Sequence, residues 1–473
     1  MNNKKKLSLT NIFSNLNPLT LLFVIVILVS ILTHFIPSGE YERVLDEATG
    51  KTIVIADTYK FVEADKADLA SMLMSFDAGI QKAAPIISFL LLIGVALGVI
   101  TSTGAIESLL NVLVKKFNDP KKKKIIIAII MFFFLFCSSS FGMGQEMMAF
   151  APFIIILMVS LGFDTITAIG TMILGYAIGY GSGFLNPFNL AVAQDIAGLP
   201  YPSGFQFRIA LSLLLYIVAV KYMISYASKV EKDFNLSLSP EIPDEFKSKN
   251  TIEQIQIMSI QHKLVWLIFV SGLFFLIYGA TMKGFYLSEC ATIFLSIGLL
   301  CGLVNKYSLN KIFQEFSKGA KDMAVPCLII GFAMAITTIL DTAKILDTIV
   351  YYLSLPLQNL PPVISAGGMV VVQTLINFFV NSGSTQAAIT MPIMSPLAQV
   401  LGVNQQVAVL AFQLGDGLSN MMWVTCGTLM IGLGIGNINY INWFKFIIKI
   451  YSILLLIAIA AAMFAQYINF GPF

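Results

Sequence analysis

Asn377-Phe-Phe-Val-Asn-Ser-Gly-Ser-Thr-Gln-Ala-Ala-Ile-Thr-Met-Pro392 joins two apolar runs, Val363–Phe379 before it and Ile389–Val403 after it. Each run is short or interrupted against the roughly 20 residues of a comfortable bilayer span. Between them Asn381, Ser382, Gly383, Ser384, Thr385 and Gln386 are small, polar and uncharged. Non-helical backbone at membrane depth is tolerated only where protein buries it or a wet cavity meets it. The pattern therefore reads as the tip of a re-entrant hairpin, a place to bind something. A surface turn between two tilted spans fits this stretch alone equally well.

The hairpin reading gains weight because the chain repeats the plan. Shifted by 240 residues, Phe141-Gly-Met-Gly-Gln-Glu146 lies on Asn381–Gln386, and Pro152 falls on Pro392. At the same offset Leu161-Gly162 meets Leu401-Gly402, Leu174-Gly175 meets Leu414-Gly415, and Phe76, Gly79 and Ala84 meet Phe316, Gly319 and Ala324. Identity is low, but the order of features recurs: apolar half-span, polar tip, proline, half-span, then a glycine-rich broken span. Matching interrupted segments in two halves point to a secondary transporter and to its binding site.

Composition sets the class. With 57% hydrophobic and 12% charged residues in 473, the chain reads as an all-α polytopic membrane protein. The five cysteines show no CxxC spacing and read as small buried hydrophobes rather than metal ligands or disulfides. His34 and His262 sit at expected span ends, so no catalytic residues and no firm metal site are expected. A GxxxxGK[ST] nucleotide loop is missing, which speaks against ATP drive within this chain. A membrane-embedded enzyme would want a His, Cys or metal constellation at depth, which is missing, and a channel would usually be built of like subunits around a pore. The expected partners are a small-molecule substrate and the lipid bilayer, not nucleic acid.

Lysines orient the spans. Lys4, Lys5 and Lys6 precede the apolar run Leu19–Ile36, which reads as an uncleaved first span with a cytoplasmic N-terminus. Gly39–Lys82 is an acidic outer loop, Pro85–Ala105 returns, and Lys115, Lys116 and Lys121–Lys124 mark the inside. Ile125–Phe136 covers about half the hydrocarbon at 1.5 Å per residue, so a first hairpin near 125–162 is entered from the inside. A broken span over 166–191 is interrupted from Gly175 to Asn189, and Phe207–Tyr226 comes back in.

The linker 228–263 then separates a first repeat, 1–227, from a second, 264–473. Leu264–Thr281 and Tyr286–Val304 follow, and Lys306, Lys311, Lys318 and Lys321 again mark the inside. Met323–Leu340 leads out, so the hairpin near 363–403 is entered from the opposite face. The matching broken span, 407–436, is interrupted from Gly415 to Asn420, and Lys445 and Lys449 start the last span. The expectation is an inverted repeat with about nine full spans and two hairpins in the cytoplasmic membrane of a bacterium.

Chemistry is expected at the two tips and the two broken spans, where helix N-termini suit a carboxylate and free carbonyls and hydroxyls suit sodium. Ser138, Ser139 and Ser140 at one tip, and Asn381, Ser382, Gly383, Ser384 and Thr385 at the other, are candidate substrate contacts. Capping of the hairpin helices is the plainer use of the same hydroxyls. Glu146 and Asp416 are expensive at this depth and are read as functional, facing a cationic group or carrying sodium or protons. Asn186, Asn189 and Asn420 are the polar amides of the broken spans, and sodium is placed near Ser140, Asn186, Ser384 and Asp416. Asp164, Asp195 and Asp341 lie near span ends and are expected to face water.

Phe141–Glu146, Phe184-Leu-Asn-Pro-Phe-Asn-Leu-Ala-Val-Ala-Gln-Asp-Ile-Ala-Gly-Leu-Pro200, Gln386-Ala-Ala-Ile-Thr-Met-Pro392 and Phe412-Gln-Leu-Gly-Asp-Gly417 together resemble the YfcC family. That family belongs with the DcuC-like anaerobic C4-dicarboxylate carriers of the ion transporter superfamily. The resemblance implies a scaffold domain, a moving domain with both hairpins, an elevator-type cycle and a homodimer. It also implies exchange of basic amino acids of the arginine/ornithine type, or carriage of C4-dicarboxylates coupled to sodium or protons. One departure is Gly144-Gln145-Glu146, where the family often has Ala-Glu-Glu. Arg208 begins a later span, and neither the tips nor the broken spans contain an arginine.

Overall fold

A long apolar segment in lipid must satisfy its backbone within itself, so such segments fold as helices. The computed structural model describes residues 18–46, 51–55, 58–106, 108, 112, 119–186, 188–241, 258–283, 285 and 287–471. In the first half the helices are α1 (Pro18–Leu32), α2 (Leu69–Lys82), α3 (Ala84–Ser102), α4 (Pro120–Phe141), α5 (Ala151–Ser160), α6 (Thr165–Gly181), α7 (Leu190–Ile196) and α8 (Phe205–Lys232). The second half has α9 (Ile260–Met282), α10 (Leu287–Val304), α11 (Leu309–Asp322), α12 (Ala324–Thr342), α13 (Leu346–Ser354) and α14 (Pro362–Phe379). It ends with α15 (Gly383–Val400), α16 (Gln405–Ser419), α17 (Gly427–Ile435) and α18 (Tyr440–Tyr467). Of the expected linker 228–263, residues 242–257 lie outside the described residues, while α8 extends into its start and α9 begins before its end; the N-terminal lysines also lie outside the described residues.

Six of these helices are long and apolar enough to cross a membrane: α3, Lys122–Ser140 within α4, α8, α12, α14 and α18. Five more apolar helices are shorter. Rows of large apolar side chains on α8 (Ile209, Leu213, Leu214, Ile217) and α9 (Leu267, Val270, Phe274) are exposed, as lipid-facing surfaces should be. The pairs α2–α3 and α11–α12 have bounds that differ by 240 residues at all four ends. These two pairs pack on each other, with α1 and α10 alongside, and α4, α6, α8, α14, α16 and α18 pack as a second group.

Four expectations are corrected. The acidic segment after α1 is not plain loop: β1 (Gly39–Glu40) pairs antiparallel with β4 (Lys60–Phe61), and β2 (Arg43–Asp46) with β3 (Lys51–Val54). Asp347 of α13 anchors this ribbon by accepting from Tyr41 N and Arg43 Nη2. The first hairpin arm is not a half-span, since α4 continues for 22 residues through Ser138–Ser140. Both breaks are displaced toward the C-terminus: α6 runs to Gly181 and α16 to Ser419, so Gly175, Gly179, Gly181, Gly415 and Gly417 lie in helix and only Gly183 falls in a break. Asp164 does not face water; it is fully buried and accepts from Thr167 N and Oγ1, Tyr226 Oη and Ser237 Oγ at 2.6–2.8 Å. Asp195 and Asp341 are exposed as expected.

The glycines serve close approach instead. A Cβ on Gly175 or Gly179 would lie 2.4 Å from Met131 O or 2.3 Å from Leu135 O, so α4 rests on the glycine face of α6. One on Gly415 would lie 2.6 Å from Gln373 Cβ, which seats α14 on α16. The two interrupted helices themselves touch where a Cβ on Gly417 would fall 2.1 Å from Gly181 N. No side chain fits there without moving backbone. Gly417→Ala should therefore lose about 1–3 kcal/mol of stability, read as a midpoint several degrees lower in detergent. Gly427→Ala, where nothing lies within 4 Å, should leave the midpoint unchanged.

Candidate functional site

The contact of Gly181 with Gly417 brings the ends of α6 and α16 together, and the polar residues of both breaks converge there. After α6 the chain runs irregularly through Ser182–Asn189 before α7. Asn186 holds this turn: its Oδ1 accepts from the backbone N–H of Phe188 (2.9 Å) and Asn189 (3.2 Å), and its Nδ2 donates to Ser138 O. Such local side-chain bonding is what asparagine offers where a helix stops. Gly142, in the turn after α4, has φ +74°, and a Cβ there would meet Asn186 Oδ1 at 2.8 Å. The end of α4 and the break after α6 are thus one unit.

Asn189 reaches across to the second half, donating from Nδ2 to Tyr180 O and to Asp416 Oδ2 at 3.2 Å. Asp416 is fully buried, and its other oxygen, Oδ1, has no hydrogen-bond partner among the described residues. A buried carboxylate half-satisfied in this way is expensive unless something else meets it. The start of α15 comes close: a Cβ on Gly383 would lie 2.8 Å from both Asp416 Oδ2 and Tyr180 Oη. Only glycine lets this helix end approach the carboxylate. The first turn of α15 begins after Ser382, which makes no side-chain cap, so a positive helix end faces Asp416.

Asn377, near the end of α14, ties the same point to the break after α16. Its Nδ2 shares its hydrogens among Asp416 O, Ser419 Oγ and Asn420 Oδ1 at 2.7–2.9 Å. Asn420 Oδ1 also accepts from Asn381 Nδ2, and Asn420 Nδ2 donates to Tyr176 Oη. The turn between α14 and α15 is only Val380–Ser382, so Gly383, Ser384 and Thr385 are helical. Asn186, Asn189, Asn381, Gly383, Asp416, Asn420 and the backbone of Ser138 are therefore gathered into one cluster.

The remaining candidates stand apart. Ser140 Oγ donates to Phe136 O in its own helix, and Ser139 Oγ to Gly179 O, so both hydroxyls are spent on packing. Ser138 Oγ is buried without a partner among the described residues. Ser382 and Thr385 bond to each other on an exposed edge, and Ser384 is half-buried beside them. Glu146 lies in a 3-10 turn, Gln145–Phe150, and its side chain is outside the described residues. No group of three His, Cys, Asp or Glu side chains that could hold a metal occurs among the described residues.

Asn377, Gln413 and Arg208 were missed. Gln406 and Gln413 on α16 and Asn420 just after it recur every seven residues, which places them on one face with Asp416 close by, and that spacing was readable. Arg208, at the start of α8, gave no such signal.

The family described as DcuC, C4-dicarboxylate anaerobic carrier, matches residues 17–467. YfcC of Escherichia coli (strain K12), which carries the provisional name of basic amino acid antiporter, is 32% identical over 81% of this chain and 78% of its own length. A Haemophilus influenzae protein named only as uncharacterized is 27% identical over 93% of this chain and 94% of its own. Among solved structures, the Alcanivorax borkumensis YdaH transporter is similar with a TM-score of 0.43 at 17% identity, covering 96% of this chain and 99% of that one. Neisseria gonorrhoeae MtrF, described with a class of antimetabolite efflux pumps, follows at 0.41 and 16%, covering 96% of each chain.

Asn377→Leu keeps the branched shape and removes the shared donor. It should cost about 2 kcal/mol through the acceptors left unmet, lower the unfolding midpoint in detergent, and cut solute uptake at least tenfold in inserted protein. Normal uptake would make this junction dispensable.

Proposed function

The chain belongs to the C4-dicarboxylate anaerobic carrier family, and on that footing we propose that it is a secondary transporter exchanging amino acids, basic ones of the arginine/ornithine type, across a bacterial cytoplasmic membrane. The observation that carries the reading is Asp416, fully buried, held by one amide and left with a free oxygen inside a cluster of asparagines. A cationic group, sodium or a proton would satisfy that oxygen. The N-terminal turn of α15 beside it suits the α-carboxylate of the same solute. The name of the Escherichia coli relative supports the same class.

A second reading, carriage of C4-dicarboxylates with sodium or protons, is favoured by the family's description and by the buried Arg208 beside the cluster. In either case alternating access would proceed by an elevator-type movement of the group containing α4–α7 and α14–α17. The 240-residue offset shared by α2–α3 and α11–α12 supports an inverted repeat, with the two hairpins at α4–α5 and α14–α15. A cleft of about 600 Å³ between α3, α11 and α12 on one side and α5 and α17 on the other fits a sliding boundary. The proposal includes nine full spans, a cytoplasmic N-terminus and a homodimer through the stationary group.

Proteoliposomes preloaded with arginine or ornithine should take up labelled arginine by counterflow, and Asp416→Asn should abolish that uptake while the protein stays folded and inserted. Succinate counterflow without arginine uptake would transfer the chain to the second reading. Normal exchange by Asp416→Asn would remove the carboxylate from the site.

A further inference from the structure

Arg208 and Asp416 are both fully buried, and neither has an oppositely charged partner among the described residues. Asp164, the other fully buried carboxylate, is met by four donors and needs none. Arg208 lies in the first turn of α8, from where a long side chain could reach the membrane surface. It turns inward instead. Its Nη1 donates to Gln413 Oε1, its Nη2 donates to Gln406 Oε1 at 3.3 Å, and its Nε has no partner among the described residues.

From Gln413 the bonds continue without a gap. Gln413 Nε2 donates to Gly183 O at 2.9 Å and to Asn189 Oδ1 at 3.4 Å, and Asn189 Nδ2 donates to Asp416 Oδ2. Each amide has its oxygen toward the cation and its nitrogen toward the anion. Two amides aligned between opposite charges are polarised in the same sense, which strengthens the chain where the dielectric is low. The orientation also has a consequence for geometry: Arg208 fixes Gln413, Gln413 fixes the Asn189 amide, and the amide nitrogen is thereby presented to Asp416. A second branch, through Gln406 to Gln194 Nε2 and Ser203 Oγ, locks the guanidinium to the last turn of α7 and the turn before α8.

We propose that Arg208 is a positioning residue of the transport site, balancing the charge of Asp416 through the Gln413–Asn189 bridge and so setting which solute charge the site accepts. The proposal rests on the reading that the solute binds around Asp416, but not on which solute it is. With Arg208 present the unloaded site is close to neutral. Without it the site carries an uncompensated negative charge, tighter for a cation and weaker for a dianion.

Two measurements on the full-length protein test this. The first is a double-mutant cycle on thermal unfolding in detergent with Arg208→Gln, Asp416→Asn and both together. Each single change leaves one buried charge uncompensated, so the double variant should lose clearly less than the sum of the single losses. Additive losses would overturn the proposal. Should Arg208→Gln fail to accumulate, recovery of expression in the double variant is the expected rescue, and failure to recover counts against it.

The second is counterflow of L-arginine, L-citrulline and succinate. Arg208→Gln should lower the half-saturating concentration about tenfold if arginine is carried, or raise it about tenfold if succinate is. Citrulline should change little, and Arg208→Lys should stay near wild type. An equal change for every solute charge would reduce Arg208 to packing. If the wild-type protein carries none of the three, the functional reading fails, and the unfolding cycle still decides the role of Arg208.

Discussion

The backbone contact between Gly181 and Gly417 is the constraint on which the site depends. Two helix ends can bring backbone against backbone only if no Cβ stands at the crossing, and here a Cβ on Gly417 would fall 2.1 Å from Gly181 N. That approach places Asn189, just after the first break, within 3.2 Å of Asp416, just before the second. Glycine at 383 then lets the start of α15 close over the same carboxylate. Glycines at 175, 179 and 415 carry α4 and α14 onto the backs of the interrupted helices, so both supporting arms are seated by the same device.

The cluster so formed is polar and buried, and its members are mostly amides. Asparagine and glutamine can give and accept in one side chain, so they pass a bond from one broken helix to the next without adding charge. Asn186, Asn189, Asn377 and Asn420 do this around Asp416, and Gln413 and Gln406 extend it to Arg208. The consequence is a charged pair held apart by neutral groups rather than closed as a salt bridge. A closed pair would satisfy itself. An open one leaves Asp416 Oδ1 without a partner among the described residues, as the proposed solute site would require.

Much of this was legible in the sequence. Hydropathy located most of the long apolar helices to within a few residues but missed α2, which lies in the segment read as an outer loop, and the less apolar α11 and α13; the 240-residue offset reappears in the bounds of α2–α3 and α11–α12. Asp416, Asn186, Asn189 and Asn420 stood out because polar groups in apolar segments need a reason. The sequence reading failed where glycine was taken as a helix breaker: around Gly175 and Gly415 the helices continue, and glycine serves packing. It did not show that the Ser139 and Ser140 hydroxyls donate to carbonyls at Gly179 and Phe136. Periodicity does not reveal where a hydroxyl points. Asp164 was misplaced for a related reason, since its partners Tyr226 and Ser237 are more than sixty residues away. Arg208 was set aside by its position at a span start, although its direction is decided by Gln413 and Gln406 of the other half.

If the junction of the two breaks with α15 is the solute site, the exposed edge of the α14–α15 turn is its entrance. Ser382 lies on that edge, its hydroxyl bonded to Thr385, with Gly383 and Asp416 directly behind it. The most direct test is alkylation of Ser382→Cys, in a background where the five native cysteines are replaced, by a maleimide in inverted and right-side-out vesicles. The account predicts labelling that slows at least fivefold when the transported solute is present at saturation, and not with a solute that is not carried. Labelling that is indifferent to every transported solute would contradict it.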